Sequence, residues 1–336
     1  MNGRRDGDRV LLGGDARQRF HDNSGYGEPV DAGLALTPVE AAHLLDRGDV
    51  DAVDGDDAAT YLRRAATDDP SFLPTFTVYA DLRDRGFYPG HDADEGTIQL
   101  PPRGTVPAAA GPEERRTVVS VGERATVAAS ALGDRTVAAV DDDGDVTYLR
   151  TAAWDGDGDA AVLGDPEALP DALADASGDG GIPATVVGDH VLLDGGDAAA
   201  LHDRFLLGTP TAAGLRLTAS EAVSLDDRVG LDADLAALAS DPVEDAVYAD
   251  LRDRGLVPRT GFKFGADLRA YERAAPGDEH AALLVRTLHT AADVPVRELA
   301  RMARLARGVR KRLVFGVVDP AADDDPHYVK VERDRP

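Results

Sequence analysis

The nine residues VYADLRDRG occur twice, at 78–86 and again at 247–255. A recurrence this long does not arise by chance in 336 residues, so the chain has to be read as a repeat before anything else. The similarity spreads outward from it. DRVLL at 8–12 answers DHVLL at 189–193. At that same offset of 181, Gly27, Pro29, Gly33, Leu34, Thr37 and Glu40 recur as Gly208, Pro210, Gly214, Leu215, Thr218 and Glu221. Further on, VAAVD at 137–141 answers FGVVD at 315–319. The offset moves from 181 to 169 and then to 178, so insertions and deletions separate the matching blocks. We read two tandem copies, joined by an Asp-, Gly- and Ala-rich stretch over 153–182 with a short helix at PEALPDALADA.

Local signals divide each copy in two. The first part opens on a short apolar strand (Val10–Leu12; Val191–Leu193) and continues into a helix. That helix starts at Thr37 with Glu40 three residues on, or at Thr218 with Glu221, which is capping-box spacing. The second part opens on the helix that carries YADLRDRG, whose glycine fits a helix C-terminus. Strands come next at TVVSV (117–121) and ALLVRTL (282–288), and a helix over about 295–309 precedes the strand LVFGVVD. The last strands are DVTYLR (145–150) and HYVKVE (327–332), apolar enough to need cover, so they are expected to pair with each other between the copies. Strands and helices mix without strict alternation. The expected fold class is therefore mixed α/β (α+β), with subdomains at 1–72, 73–152, 183–240 and 241–336.

Charge narrows the setting. The chain has 62 acidic residues against 36 basic ones, a net charge of −26, and its lysines are only Lys263, Lys311 and Lys330. Carboxylates hold water and hydrated cations well at high salt, and lysine's long apolar stem does not. Molar salt cuts the Debye length to about 3 Å, which relieves the self-repulsion. We expect a salt-adapted cytoplasm such as that of a halophilic archaeon. With 43 % hydrophobic residues the chain is not a disordered acidic tail. Without cysteine it has no disulfide, thiolate metal site or cysteine nucleophile. No apolar window is long enough to span a membrane and the first residues lack a signal-peptide core, so a cytoplasmic protein is expected.

Duplication preserves a fold, so differences between the copies mark the specialised one. Copy two carries GFKFGADLRAY at 261–271, DEH at 278–280 and RELARMARLARGVRKR at 297–312. Copy one has no tyrosine, histidine or lysine at the matching places, and Gly133 stands opposite Lys311. Residues 294–312 hold seven cations (Arg297, Arg301, Arg304, Arg307, Arg310, Lys311, Arg312) against Glu298, a net +6 inside a chain of −26. Arg297, Arg301 and Arg304 share a helical face. Either the helix is a solvated face paired to acidic neighbours, or it binds phosphate. The local reversal of charge favours phosphate.

Tyr271, His280 and Lys311 are each ordinary alone, as a core tyrosine, a surface histidine and a solvated lysine. Together they are a chemical set. Cutting RNA without a metal needs a base for the 2′-hydroxyl, an acid for the leaving 5′-oxygen and a fixed cation beside the phosphorane. Histidine suits the acid, with a pKa of about 6.5. Lysine suits the equatorial oxygens. Tyrosine needs neighbouring cations to act as the base.

YADLRDRGLVPRTGFKFGADLRAY, then DEHAALLV, then ARLARGVRKRLVFGVVD together resemble the archaeal tRNA-intron (tRNA-splicing) endonucleases, in the duplicated form with a degenerate first copy. The resemblance implies that each copy has a small N-terminal α/β subdomain and a restriction-endonuclease-like mixed-sheet C-terminal subdomain. It implies Tyr271 as general base, His280 as general acid and Lys311 as the phosphate-stabilising cation. Base-clamping arginines would fall on Arg304 and on Arg333 or another residue near the C-terminus, with Arg301 and Arg307 as further RNA contacts. The implied substrate is precursor tRNA, cut in a bulge–helix–bulge to leave 2′,3′-cyclic phosphate and 5′-hydroxyl ends, with no metal and no small-molecule cofactor. A homodimer is implied too, with the acidic turn in AVDDDGDVTYLR (139–150) docking on the partner. The alternatives are a non-catalytic RNA-binding subunit and a metal-dependent DNA nuclease. The latter needs a carboxylate cluster with a lysine two residues on, which the sequence does not offer.

Overall fold

The computed structural model describes residues 1–31, 33–161, 181–193, 196–272, 281–322 and 324–336. Its spine is a ten-stranded mixed sheet. From one edge the strands run Val257–Thr260, Leu268–Tyr271, Leu283–His289, Arg312–Val318 and His327–Arg333. They continue as Val146–Ala153, Arg135–Val140, Arg116–Gly122, Thr97–Leu100 and Gly90–Asp92. From either edge inward the pairings are antiparallel, antiparallel, parallel, antiparallel. The two innermost strands pair antiparallel with Leu149 opposite Arg333 and Thr151 opposite Val331, so the expected cover of DVTYLR and HYVKVE is supplied by each other.

Two five-stranded sheets flank this spine. One has the order Glu28–Val30, Gly33–Leu36, Arg9–Leu12, Asn2–Asp6, Ala52–Val53. The other has the order Thr209–Thr211, Gly214–Leu217, His190–Leu193, Ile182–Val187, Leu231–Asp232. Both expected capping boxes form, at Thr37/Glu40 and Thr218/Glu221. The glutamates do more than cap. Each is buried, and its Oε1 also accepts from a backbone N–H across the fold, of Gly27 or Gly208, at 3.0 Å. Gly27 and Gly208 sit at φ 55° and 63°, and an added Cβ on Gly27 would lie 2.3 Å from the Ala35 oxygen. That combination of a left-handed turn and a close approach leaves only glycine.

The repeated motif runs through the ends of the helices Phe72–Asp84 and Pro242–Asp253, and most of its side chains have matched roles in the two halves. Tyr79 and Tyr248 are fully buried, as are Leu82 and Leu251. The arginine four residues after each tyrosine donates to a carbonyl of the flanking small domain: Arg83 to Ser24 at 2.7 Å, Arg252 to Phe205 at 2.8 Å. The aspartate accepts from a tyrosine of the central strand pair, Asp81 from Tyr148 at 2.6 Å and Asp250 from Tyr328 at 2.7 Å. The closing glycines, Gly86 and Gly255, take φ 84° and 71° just past the helix end, as a C-terminal glycine should.

One core cluster crosses the middle of the molecule. It joins Val127, Ala129, Val137 and Leu149 to Leu284, Leu299, Met302, Phe315 and Val329. Above it lie two short paired strands, Thr126–Ala128 and Asp293–Pro295. The halves diverge immediately after this pair. Asp293–Pro295 leads into a 13-residue helix, Val296–Gly308, and Thr126–Ala128 leads only into the three-residue turn Ala129–Ala131. The join does not begin as a free tether: the Gly158 and Ala160 amides bond to the carbonyls of Arg254 and Gly255. The helix expected at PEALPDALADA (166–176) lies outside the described residues, and so does His280. Among the described residues no helix is long and apolar enough to cross a membrane.

Candidate active site

Tyr271 and Lys311 meet at one end of the spine because of strand direction. Leu268–Tyr271 runs antiparallel to Leu283–His289, which runs parallel to Arg312–Val318. The last residue of the first strand therefore lies beside the first residues of the other two, with Ala270 opposite Leu283 and Leu283 opposite Arg312. Glu272 and Arg312, the neighbours of Tyr271 and Lys311, form an ion pair that ties these ends together. The described chain resumes at Ala281, and the Lys311 Nζ donates to the Ala281 carbonyl at 2.5 Å. Ala281 is the residue bonded to His280 in the chain, and it stands at this end of the sheet.

The basic helix explains how Lys311 is aimed. Val296, Leu299, Met302, Ala303 and Ala306 recur at helical spacing and are buried, which seats the helix on the shared core. The helix closes with a Schellman pair: the Arg310 amide bonds to the Arg307 carbonyl and the Lys311 amide to the Ala306 carbonyl. Arg310 occupies the left-handed position at φ 56°, where glycine is the usual residue. This turn reverses the chain at once into Arg312–Val318, and Lys311 is the residue at the corner.

The cations of the helix are not equivalent. Arg297 pairs with Glu123 of the first half, and Arg301 lies 3.7 Å from Glu298. Arg304, Arg307 and Arg310 are exposed and form no ion pair among the described residues. Arg307, Arg310, Lys311, Arg312, Lys330 and Arg333 line one cleft of about 430 Å³ with Glu332. Of the residues expected from the sequence, the cleft gathers Arg307, Lys311 and Arg333, and it holds two of the three lysines. Arg304 and Arg301 stand outside its lining. The solvated-face reading holds for Arg297 and Arg301, whose charges are shared with Glu123 and Glu298.

Sequence reasoning passed over Arg269. It alternates with Tyr271 on one strand, so both point to the same face. Its guanidinium carbon lies 5.8 Å from the Tyr271 ring centre, and its Nε is buried with no hydrogen-bond partner among the described residues. Burial first, and the Arg269 charge second, hold the Lys311 pKa below its ordinary value. The available signal was strand alternation alone, which pairs Arg269 with the singled-out Tyr271. The acidic turn expected over 141–145 joins Arg135–Val140 to Val146–Ala153. There Asp141 caps its own loop and Asp142 pairs with Arg124.

A half-buried tyrosine, a lysine at a strand corner and a cleft lined by arginines thus gather at one end of the second half. Two family models match this chain: the tRNA intron endonuclease N-terminal domain over residues 1–63 and the tRNA intron endonuclease catalytic C-terminal domain over 244–328. Similar proteins named tRNA-splicing endonuclease include that of Haloferax volcanii, 39 % identical over 343 residues and 97 % of each chain. Another is that of Natronomonas pharaonis, 37 % identical over 339 residues and 96 % of each chain. That of Halobacterium salinarum is 36 % identical over 361 residues and 99 % of each chain. The chain belongs to the tRNA intron endonuclease family, and its relatives among salt-loving archaea fit its charge.

Proposed function

We propose that this enzyme removes introns by cutting precursor tRNA at both exon–intron junctions of a bulge–helix–bulge. The observation that carries the reading is the convergence of Tyr271 and Lys311 at the sheet end where Ala281 follows His280, beside a cleft of cations in a chain of −26. Tyr271 takes the proton of the 2′-hydroxyl. The 2′-oxygen bonds to phosphorus as the bond to the 5′-oxygen breaks, and His280 protonates that leaving oxygen. Lys311 faces the charge that develops on the equatorial oxygens. The products are a 2′,3′-cyclic phosphate and a 5′-hydroxyl, and no metal takes part. Bulged nucleotides suit this chemistry, because a continuous A-form duplex withholds both its base edges and in-line geometry.

The chain is further read as two tandem copies of one unit, the first having lost its site where Gly133 replaces Lys311. The ten strands that pair in the same sense from either edge support this. So do the matched Tyr148–Asp81 and Tyr328–Asp250 bonds. Two chains would then associate as a homodimer in a salt-rich cytoplasm, with the turn at 141–145 docking on the partner. Two identical sites at a fixed spacing would measure the helix between two bulges.

The test is cleavage of a bulge–helix–bulge precursor by the purified protein in molar salt with EDTA present. Cleavage leaving cyclic-phosphate ends is expected. No cleavage, or cleavage only after magnesium is restored, would overturn the proposal. Sedimentation at the same salt reads the dimer.

A further inference from the structure

The turn GFKFG at 261–265 presents one aromatic ring inward and one outward. Phe264 is half-buried against the core under the basic helix, and its ring centre lies 5.3 Å from the Lys311 Nζ. Phe262, two residues earlier, is 88 % exposed, and the next most exposed large hydrophobic side chain among the described residues is Val187 at 51 %. The turn that holds it is rigidly specified. An added Cβ on Gly261 would lie 2.6 Å from the Ala266 oxygen, and Gly265 takes φ 62°. The Phe264 amide bonds to the Gly261 carbonyl, the Gly265 amide to the Phe262 carbonyl, and the Phe262 amide to Thr260 Oγ1. Phe262 is thus held out in water on a firm support, in the same turn as the Phe264 ring that neighbours the lysine the proposed chemistry needs.

We propose that Phe262 is a stacking platform for an unpaired nucleobase of the RNA substrate, with the exposed Lys263 contacting the adjoining phosphate. This rests on the reading of the substrate as RNA. The residue pairing favours a nucleic acid over a protein partner: the exposed ring is followed directly by one of only three lysines in a chain of −26. An aromatic beside a cation is the usual single-strand contact, and stacking is tolerant of base identity. Salt gives a second reason. Phosphate contacts weaken steeply as salt rises, whereas a stacking contact is not screened. An enzyme working in molar salt therefore has to draw more of its RNA affinity from apolar surface. Phe262 is the most exposed large hydrophobic side chain among the described residues, and it lies in the turn that also carries Phe264.

The experiment uses the full-length protein with Phe262→Ala and Phe262→Trp, in molar salt. The probe is a bulge–helix–bulge RNA carrying 2-aminopurine at each bulge position in turn. Wild type should quench one position on binding. Phe262→Ala should lose that quench and raise the dissociation constant and KM about 10-fold, within the range for one lost stack, with kcat nearly kept. Phe262→Trp should restore both. Unchanged quenching and KM in Phe262→Ala overturn the inference. So does a variant whose dimer dissociates on sedimentation while RNA affinity holds, since Phe262 would then be a subunit contact. Because the quench reads binding, a wild-type protein that quenches but does not cut overturns only the proposed reaction.

Discussion

The Lys311 Nζ donates a 2.5 Å hydrogen bond to the carbonyl oxygen of Ala281, the residue directly after His280. One side chain thereby links the corner after the basic helix to the start of the strand next to the expected acid. We expect Lys311→Ala to lower the cleavage rate at least about 10²-fold, the scale for losing a charge aimed at the transition state, with the thermal midpoint nearly unchanged. Near-normal turnover would remove Lys311 from the mechanism. Burial and Arg269 lower the Lys311 pKa, so its charge is lost earlier on the alkaline side than that of a free lysine. The rate should fall with rising pH below the ordinary lysine range, and Arg269→Gln should move that fall upward. The stability effect has the opposite sign. The folded state releases this proton first, so stability rises with pH between the folded and unfolded pKa values.

His43 should make the first half sensitive to acid. Its Nδ1 lies 2.8 Å from the Tyr26 hydroxyl, and burial, helped by Arg83 and Arg47, lowers its pKa to about 4. The unfolded chain binds this proton near 6.5. Stability is therefore full above pH 6.5 and is lost as pH falls toward 4, by roughly 3 kcal/mol at 1.36 per unit. Chemical denaturation across this range should show the slope, and His43→Gln should flatten it. A slope unchanged in His43→Gln would assign the sensitivity to other groups, such as His91, which burial also holds near 4.

Tyr328→Phe and Tyr148→Phe test the ties between the repeat helices and the central strands. Each removes a hydroxyl bonded at 2.7 or 2.6 Å to an aspartate that an arginine also holds at 2.6 Å. Hydrogen bonds to charged groups contribute about 1.5–3 kcal/mol, and each variant should lose stability on that scale in a denaturant midpoint. Losses below about 0.5 kcal/mol would show that water replaces the hydroxyl without penalty.

Arg304→Ala and Arg301→Ala should differ. Arg304 has no ion pair among the described residues, and Arg301 shares its charge with Glu298. A lost phosphate contact reduces the slope of log K against log salt by about 0.7–0.9. We expect that reduction for Arg304→Ala and a smaller one for Arg301→Ala, read by RNA titration at several salt concentrations. Equal slopes would show that the Glu298 contact does not withhold Arg301 from the RNA.

Arg310→Gly should stabilise the protein. A side chain at φ 56° is strained where glycine is not, and relieving it contributes about 0.5–1 kcal/mol. A raised thermal midpoint is the expected outcome. A lowered one would mean that the Arg310 side chain makes stabilising contacts in the cleft that outweigh the strain.

Much of the local structure was readable beforehand for a physical reason. Capping boxes, helix-terminal glycines and the apolar spacing of Val296–Gly308 are short-range signals, and each appears where the residues place it. The cleft was only half readable. Lys311 stood out through the gap at Gly133, and Arg307 and Arg333 through the family resemblance. Arg269 was missed because its importance comes from sheet alternation beside Tyr271, not from any motif. The exposure of Phe262 is not legible in GFKFG, since sequence does not say which of two phenylalanines turns outward.

By itself the sequence determined the recurrence of VYADLRDRG, the net charge of −26 and the family, and it named the three residues of the proposed chemistry. These come from residue type and spacing, which a chain carries before it folds. Only the tertiary structure decided which arginines keep an unshared charge, because Glu123 lies 174 residues from the Arg297 it neutralises. It also decided that a parallel crossover between Leu283–His289 and Arg312–Val318 carries Lys311 back to the end of the sheet where Tyr271 stands. Such pairings depend on strand direction and register across long loops, and no local pattern encodes them.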